Sequence, residues 1–217
     1  MLGSENGVQR TSRHSHARSV TGILLTVALL GSLAAAPSVG ASTAGTVRIA
    51  TTTALTTTII DRPWLPTELY VLGLINCTRT GGWVLSDGTC RGYGSGRYSA
   101  YVRPLVRSIT ISDLVSRPYA RLLAIRGVCS HFLDHDPGYR LRRSGFYSWT
   151  WGENIGCGDG YSTAKASVLA SHLRMQAEKW TNGGHWRNFK NYRFTSVGIG
   201  IWRYGSRTRL VQDYYRS

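Results

Sequence analysis

Apolar positions change their spacing several times along the 217-residue chain, and each spacing predicts a different kind of segment. An uncharged, mostly apolar run extends from Gly22 to Ala36 and is broken by Pro37. At 15 residues it is shorter than the ~20 that a membrane-spanning helix needs. Leu69, Leu72, Leu74 and Ile75 follow Pro66-Thr67-Glu68, which predicts a helix capped by Thr67 and ending near Asn76. Tyr119, Leu122, Leu123 and Ile125 predict a second helix from Ser116 to Arg126, with Pro118 in its first turn. Val168, Leu169, Leu173, Gln176, Ala177 and Trp180 form a stripe at helical spacing, predicting a third helix over 163–180 with Ser162 as its cap.

The period then falls to two. Val197, Ile199 and Ile201 alternate with Gly198 and Gly200, and after Tyr204-Gly205-Ser206 the segment Thr208 to Tyr215 reads as the return strand of a hairpin. Between these elements, residues 81–103 are rich in glycine, tyrosine and arginine, and 134–151 has no regular period; both read as surface loops. Helices first and an antiparallel hairpin last predict an α+β domain.

The N-terminal segment changes the picture of where this domain works. Arg10, Arg13 and Arg18 precede the apolar run, and Val39-Gly40-Ala41 places small residues where a signal peptidase cleaves. The expected organisation is a signal peptide over 1–41, a threonine-rich linker over 42–65 and a single domain over 66–217. The product is expected to be secreted, monomeric and without a transmembrane span in its mature form. Its four cysteines, Cys77, Cys90, Cys129 and Cys157, then read as two disulfides. Three connectivities are open; nearest-neighbour pairing, Cys77–Cys90 and Cys129–Cys157, is preferred. No two cysteines have the two-residue spacing of zinc ribbons and fingers.

Charge adds a partner class. The chain carries +15, and Arg10, Arg13, Arg18 and Glu5 give the leader +2, leaving +13 for the remainder. That excess attracts anionic ligands, above all those of a cell envelope or the extracellular space. Nucleic acid, favoured by charge alone, is not the expected partner. The stretch Arg91, Tyr93, Arg97, Tyr98, Tyr101 and Arg103 has the composition of a surface that stacks on bases or sugars, but a solvated loop is its expected state.

Four segments occur in a fixed order: Cys129-Ser130-His131, then Gly152-Glu153-Asn154-Ile155, then Trp180 to Phe189 containing Gly183-Gly184-His185-Trp186-Arg187-Asn188, then Val197 to Ile201. This order resembles the CAP superfamily, the SCP domain of cysteine-rich secretory proteins, antigen 5 and plant pathogenesis-related proteins, and within it the bacterial secreted branch. The resemblance covers roughly residues 67–216. It implies an α-β-α sandwich whose cleft holds two histidines and acidic residues, which map onto His131, Glu153 and His185.

The second acid of that cleft has no obvious counterpart. Gln176 stands four residues before Trp180 on the apolar stripe, whereas Glu178 lies about 200° from Trp180 at 100° per residue. The expectation is therefore Gln176 in the cleft and Glu178 in solvent. Two imidazoles beside a carboxylate suit a divalent metal, zinc above all, with His131 and His185 as ligands and no cofactor required for folding. The expected function is binding of a ligand or divalent metal at or beyond the cell envelope, and not catalysis. A metal-assisted hydrolase acting on an envelope polymer is the alternative. No His-Glu-x-x-His or Gly-x-Ser-x-Gly pattern occurs.

Overall fold

The first helix begins where proline permits it. The computed structural model describes residues 62–217. The proposed leader and most of the linker lie outside the described residues. Helix α1 spans Leu65–Arg79, with Pro66 in its first turn and Trp64 at its N-cap. Thr67 is thus inside the helix, not its cap, because proline takes the position where a missing N–H costs nothing. Two short strands, β1 (Trp83–Val84) and β2 (Cys90–Arg91), form a small hairpin beside it.

The main sheet has the order β3-β5-β6-β4. Its strands are β3 (Val106–Arg107), β4 (Trp151–Asp159), β5 (Ser196–Tyr204) and β6 (Arg207–Tyr215). The β5–β6 hairpin and the β6–β4 pair are antiparallel, while β3 joins β5 in parallel. One face is covered by α1, α5 (Ala164–Ala177) and α6 (Gly184–Lys190). The other is covered by a continuous helical stretch: α2 (Ile109–Ile111), a π turn over Ser112–Ser116, and α3 (Arg117–Arg126). Helix α4 (Pro137–Arg143) lies against β4. This is an α+β fold, an α-β-α sandwich.

Both faces of the sheet are buried, and the period-two pattern divides between them. Val197, Ile199, Ile201, Leu210 and Tyr214 join Val71, Ile75, Val168 and Phe189 in one core. Val211 and Ile155 point the other way, onto Tyr119, Ala120 and Leu123. Each fully buried aliphatic side chain contributes about 1.5–3 kcal/mol relative to exposure. Gly198 and Gly200 exist for close approach: a Cβ on Gly200 would lie 2.2 Å from the Ser116 backbone, and one on Gly198 would lie 2.3 Å from Ile111.

Strand β4 carries no clear strand signal in its sequence, yet the same device explains it. Gly156 and Gly158 face α5, where added Cβ atoms would strike Ser171 and Ser167. Two cations tie α1 to α6 at their C-terminal ends. Arg79, in the last turn of α1, donates to the Phe189 and Asn191 carbonyls at the end of α6, and Lys190 of α6 donates to the Thr78 and Arg79 carbonyls at the end of α1. Each helix thus supplies the charge that complements the other's C-terminal dipole.

The disulfides pair Cys77 with Cys90 and Cys129 with Cys157, with no free cysteine among the described residues. Closing loops of 13 and 28 residues restricts the unfolded chain by about 3 and 3.5 kcal/mol on the chain-entropy estimate. No helix among the described residues is long and apolar enough to cross a membrane.

Candidate functional site

His131 lies on the loop after α3, and three restraints fix it. The Cys129–Cys157 bridge ties this loop to β4, four residues beyond Glu153. The Tyr119 hydroxyl donates to the Ser130 carbonyl at 2.6 Å and accepts from the Leu133 amide at 3.1 Å. Arg140 of α4 donates to the carbonyls of His131, Asp134 and His135 at 3.0, 3.2 and 2.7 Å. Its guanidinium also covers the Tyr119 ring at 3.5 Å and forms an ion pair with Glu153. Arg140 is the organising residue that the sequence reading missed. It sits in a stretch without period, and only the fold brings it to the strand.

Glu153 projects from β4 with its side chain buried. Oε1 pairs with Nδ1 of His131 at 2.7 Å, and Oε2 accepts from Arg140. Behind it, its register partner on β6 is Asp213, which is fully buried and accepts from Ser116 Oγ at 2.6 Å. Burial, and then the nearby Glu153 charge, hold Asp213 well above the usual carboxylate range. Asp213 thus favours its neutral form more than an exposed carboxyl does, and Arg140 is the ion-pair partner of Glu153. Ser116, expected at the start of the second helix, lies within the helical stretch, where its hydroxyl serves this carboxyl.

The second histidine comes from the opposite layer. Helix α5 ends at Ala177 and tightens into a 3-10 turn over Glu178–Thr181. His185 opens α6, and its Nδ1 pairs with Glu178 Oε1 at 2.5 Å while its amide donates to Oε2 at 2.9 Å. The close approach needs Gly183, where a Cβ would lie 2.4 Å from Glu178 Oε2. Burial raises the Glu178 pKa, but the hydrogen bonds and charge of His185 outweigh it, and the net direction is down. Asn188 donates to Asn154 Oδ1 at 2.8 Å and to the Glu153 carbonyl at 3.1 Å, locking α6 onto β4.

Gln176 and Glu178 are therefore placed opposite to expectation. Gln176 is 1% exposed and buried away from the cleft; it accepts from the Thr78 hydroxyl and exchanges two 3.0 Å hydrogen bonds with the Val84 backbone. Glu178 lines the cleft. The physical reason is that the buried stripe and the cleft lie on opposite sides of the helix: at 100° per residue Glu178 stands about 200° from the buried Gln176. Trp180, the reference for the stripe, falls in the 3-10 turn and is 75% exposed, so it does not mark the cleft side.

His131, Glu153, Glu178, His185, Arg187 and Asn188 together line a cavity of about 550 Å³. A second cavity of about 290 Å³ shares Glu178 and His185 and is walled by Ile155, Met175 and the Cys129–Cys157 bridge. The imidazole side chains are about one-third exposed, at 38% for His131 and 32% for His185. Each is engaged at Nδ1 by a carboxylate, and neither Nε2 has a hydrogen-bond partner among the described residues. A carboxylate at Nδ1 selects the tautomer with the proton there and the lone pair on Nε2. Among the described residues no three His, Cys, Asp or Glu side chains are grouped to hold a metal ion. All four carboxylate oxygens are already bound. The donor set is thus two imidazole nitrogens. That falls short of the three protein ligands of a catalytic zinc site. Ser130 Oγ is occupied by the Phe132 amide at 3.0 Å and takes no part in the cavity.

No protein-family model matches the chain, and no curated protein matches it. Three solved structures share parts of its shape. One is an extracellular SCP-domain protein from Bacillus anthracis str. Ames, with 24% identity, a TM-score of 0.39, and an alignment covering 54% of this chain and 35% of that one. A second is NaASP2 with Zn2+, at 15% identity and TM-score 0.44, covering 68% and 78% of the two chains. A third, manganese-bound Ac-ASP-7, shows 17% identity and a TM-score of 0.37 over 74% and 72%. The match thus spans about one-third of the Bacillus protein. At these TM-scores the likenesses lend no weight to any activity.

Proposed function

We propose that the chain is an exported CAP/SCP-type protein whose cleft binds a ligand at or beyond the cell envelope, with His131 and His185 able to hold a divalent metal there. One observation carries this reading: two histidines from opposite layers line one cavity, each fixed at Nδ1 by its own carboxylate with Nε2 left for a ligand. Paired disulfides fit an oxidising, extracytoplasmic compartment. The +13 of the mature chain draws it to anionic envelope material.

Zinc is the convenient probe. When bound, the ion would supply a Lewis-acidic centre that grips oxygen ligands; the protein's part is to hold two imidazoles in the correct tautomer. Titration calorimetry of zinc into the mature protein should show binding that is largely lost in both His131→Ala and His185→Ala. Glu153→Gln and Glu178→Gln should each weaken it by roughly 10–100-fold, the usual cost of removing a carboxylate behind a ligating histidine. Retention of wild-type affinity in both histidine variants overturns the metal reading.

Hydrolysis of an envelope polymer is the second reading, and Glu178 is the observation that favours it. Two carboxylate–imidazole pairs in one cavity are two potential general bases for water. Release of soluble fragments from purified envelope, abolished by His131→Ala, would select this reading over binding alone.

A further inference from the structure

Successive residues of the 3-10 turn face different cavities. Glu178 and Thr181 line the histidine cleft, while Lys179 and Trp180 line a separate cavity of about 300 Å³ together with Trp83 and Tyr98. Trp83 comes from β1 and Tyr98 from the glycine-rich loop, the segment whose composition already suggests stacking on sugars or bases. The Trp83 and Tyr98 centroids are 6.4 Å apart with planes tilted by 41°, and Trp83 and Trp180 are 6.3 Å apart at 45°. Trp180 is 75% exposed, a large ring left in water.

The walls are rigid. The Cys77–Cys90 bridge pins the hairpin to α1, and the Gln176 amide clamps Val84, next to Trp83, onto α5. The Tyr98 amide donates to the Gly81 carbonyl at 2.8 Å, and the Lys179 ammonium donates to the Tyr98 carbonyl. Cations mark the rim. Lys179 Nζ lies 4.6 Å from the Trp180 centroid and 5.7 Å from that of Trp83, and the Arg97 guanidinium lies 5.7 Å from the Tyr98 centroid. Among the described residues no carboxylate lines this cavity.

We propose that this groove is a carbohydrate-binding subsite that takes a ring of an acidic polysaccharide, its C–H face on Trp180 and Trp83 and its carboxylate towards Lys179 and Arg97. A pyranose is apolar on its faces and polar at its edge, which suits a pocket of aromatic walls with a few polar groups at the margin. The volume lies at the small end of ligand pockets and fits a sugar ring or two. Rings inclined by 41° and 45° offer no parallel slot for a planar nucleobase. The charge at the rim selects an anionic sugar over a neutral one.

The test is affinity electrophoresis and tryptophan fluorescence of the mature chain at physiological salt, with alginate (a polyuronate), neutral dextran and a thymidine oligonucleotide as probes. Alginate should retard the protein and quench its fluorescence, and dextran should do neither. Trp180→Ala and Lys179→Met should each weaken alginate binding by about 10-fold, the worth of one good aromatic or charged contact. Arg126→Ala, an exposed cation elsewhere, should change it by less than about twofold. Trp180 is exposed, so its truncation leaves the fold intact. His185→Ala should bind alginate as wild type does, which separates this subsite from the histidine cleft. Wild-type alginate binding by Trp180→Ala would reduce the effect to net charge and overturn the subsite. So would equal retardation by dextran, or a tighter, Trp180-dependent hold on the oligonucleotide.

Discussion

Acidification should destabilise this domain through a histidine outside the cleft. His172 sits on α5 with no solvent exposure, its ring 5.0 Å from that of Phe189. Thr78 donates its hydroxyl proton to Gln176 Oε1, so it accepts from Nε2–H of His172 at 3.0 Å. That fixes the tautomer and leaves Nδ1 buried without a partner. Protonating Nδ1 would place a charge in the apolar core, and burial lowers the His172 pKa from 6.5 to about 3. The unfolded chain therefore binds a proton that the native state refuses. Stability is at its full value above 6.5 and is lost as pH falls below it, down to about 3. Integrating the difference between pH 7 and pH 5 gives a loss of about 2 kcal/mol from this one ring. In urea unfolding, that is a midpoint shift of about 1 M. His172→Gln keeps a donor for Thr78 and removes the titration, so its shift over the same range should be smaller by that amount. Proton NMR of the wild type adds a second measure: the His172 ring should not titrate between pH 8 and pH 5. Equal pH slopes in the two proteins, or a His172 ring that titrates near 6, would refute the reasoning.

Other expectations are shorter to state. Gly200→Ala should cost about 3 kcal/mol or more, because its Cβ would lie 2.2 Å from the Ser116 backbone, and chemical denaturation measures it. Replacing Cys129 and Cys157 together with alanine should lower stability by about 2–4 kcal/mol and, by freeing the His131 loop, weaken zinc binding more than the same change at Cys77 and Cys90. Zinc affinity at the cleft should fall on acidification, since a protonated imidazole has no lone pair for the ion; calorimetry at two pH values checks it. Mass spectrometry of secreted protein should show a start at Ser42 or Gly45 and a mass four hydrogens below the reduced form.

Much of the framework was legible residue by residue. The alternation at Val197, Ile199 and Ile201 is local, and it appears as the hairpin strand β5. The stripe Val168 to Gln176 is likewise local and faces the core, apart from its last members. The neighbouring cysteines pair as expected because each bridge joins elements that the chain brings together within a few turns. What failed was reading across a change of geometry. The helix after Ser162 starts one residue later than expected, on Thr163, whose hydroxyl caps Ala166. It also stops at Ala177, so Trp180 falls in a 3-10 turn, stays exposed and no longer marks the cleft side of the helix. Strand β4 and helix α4 carry weak local signals, one glycine-rich and polar, the other seven residues long. Strand propensity mostly measures packing against neighbours, and those neighbours are distant in sequence.

The sequence by itself determined the α+β class and the basic charge, because these depend on composition or on a period shorter than one element. The choice of His131, Glu153 and His185 as cleft residues came instead from the resemblance carried by the order of the motif segments. Only the tertiary structure decided which second carboxylate meets His185, that Arg140 pairs with Glu153, that Asp213 lies buried behind it, and that Trp83, Tyr98 and Trp180 share one groove. Those facts depend on contacts between residues 7 to 97 positions apart. A hydrophobic pattern specifies which face of an element is buried, but not what another element presents to it.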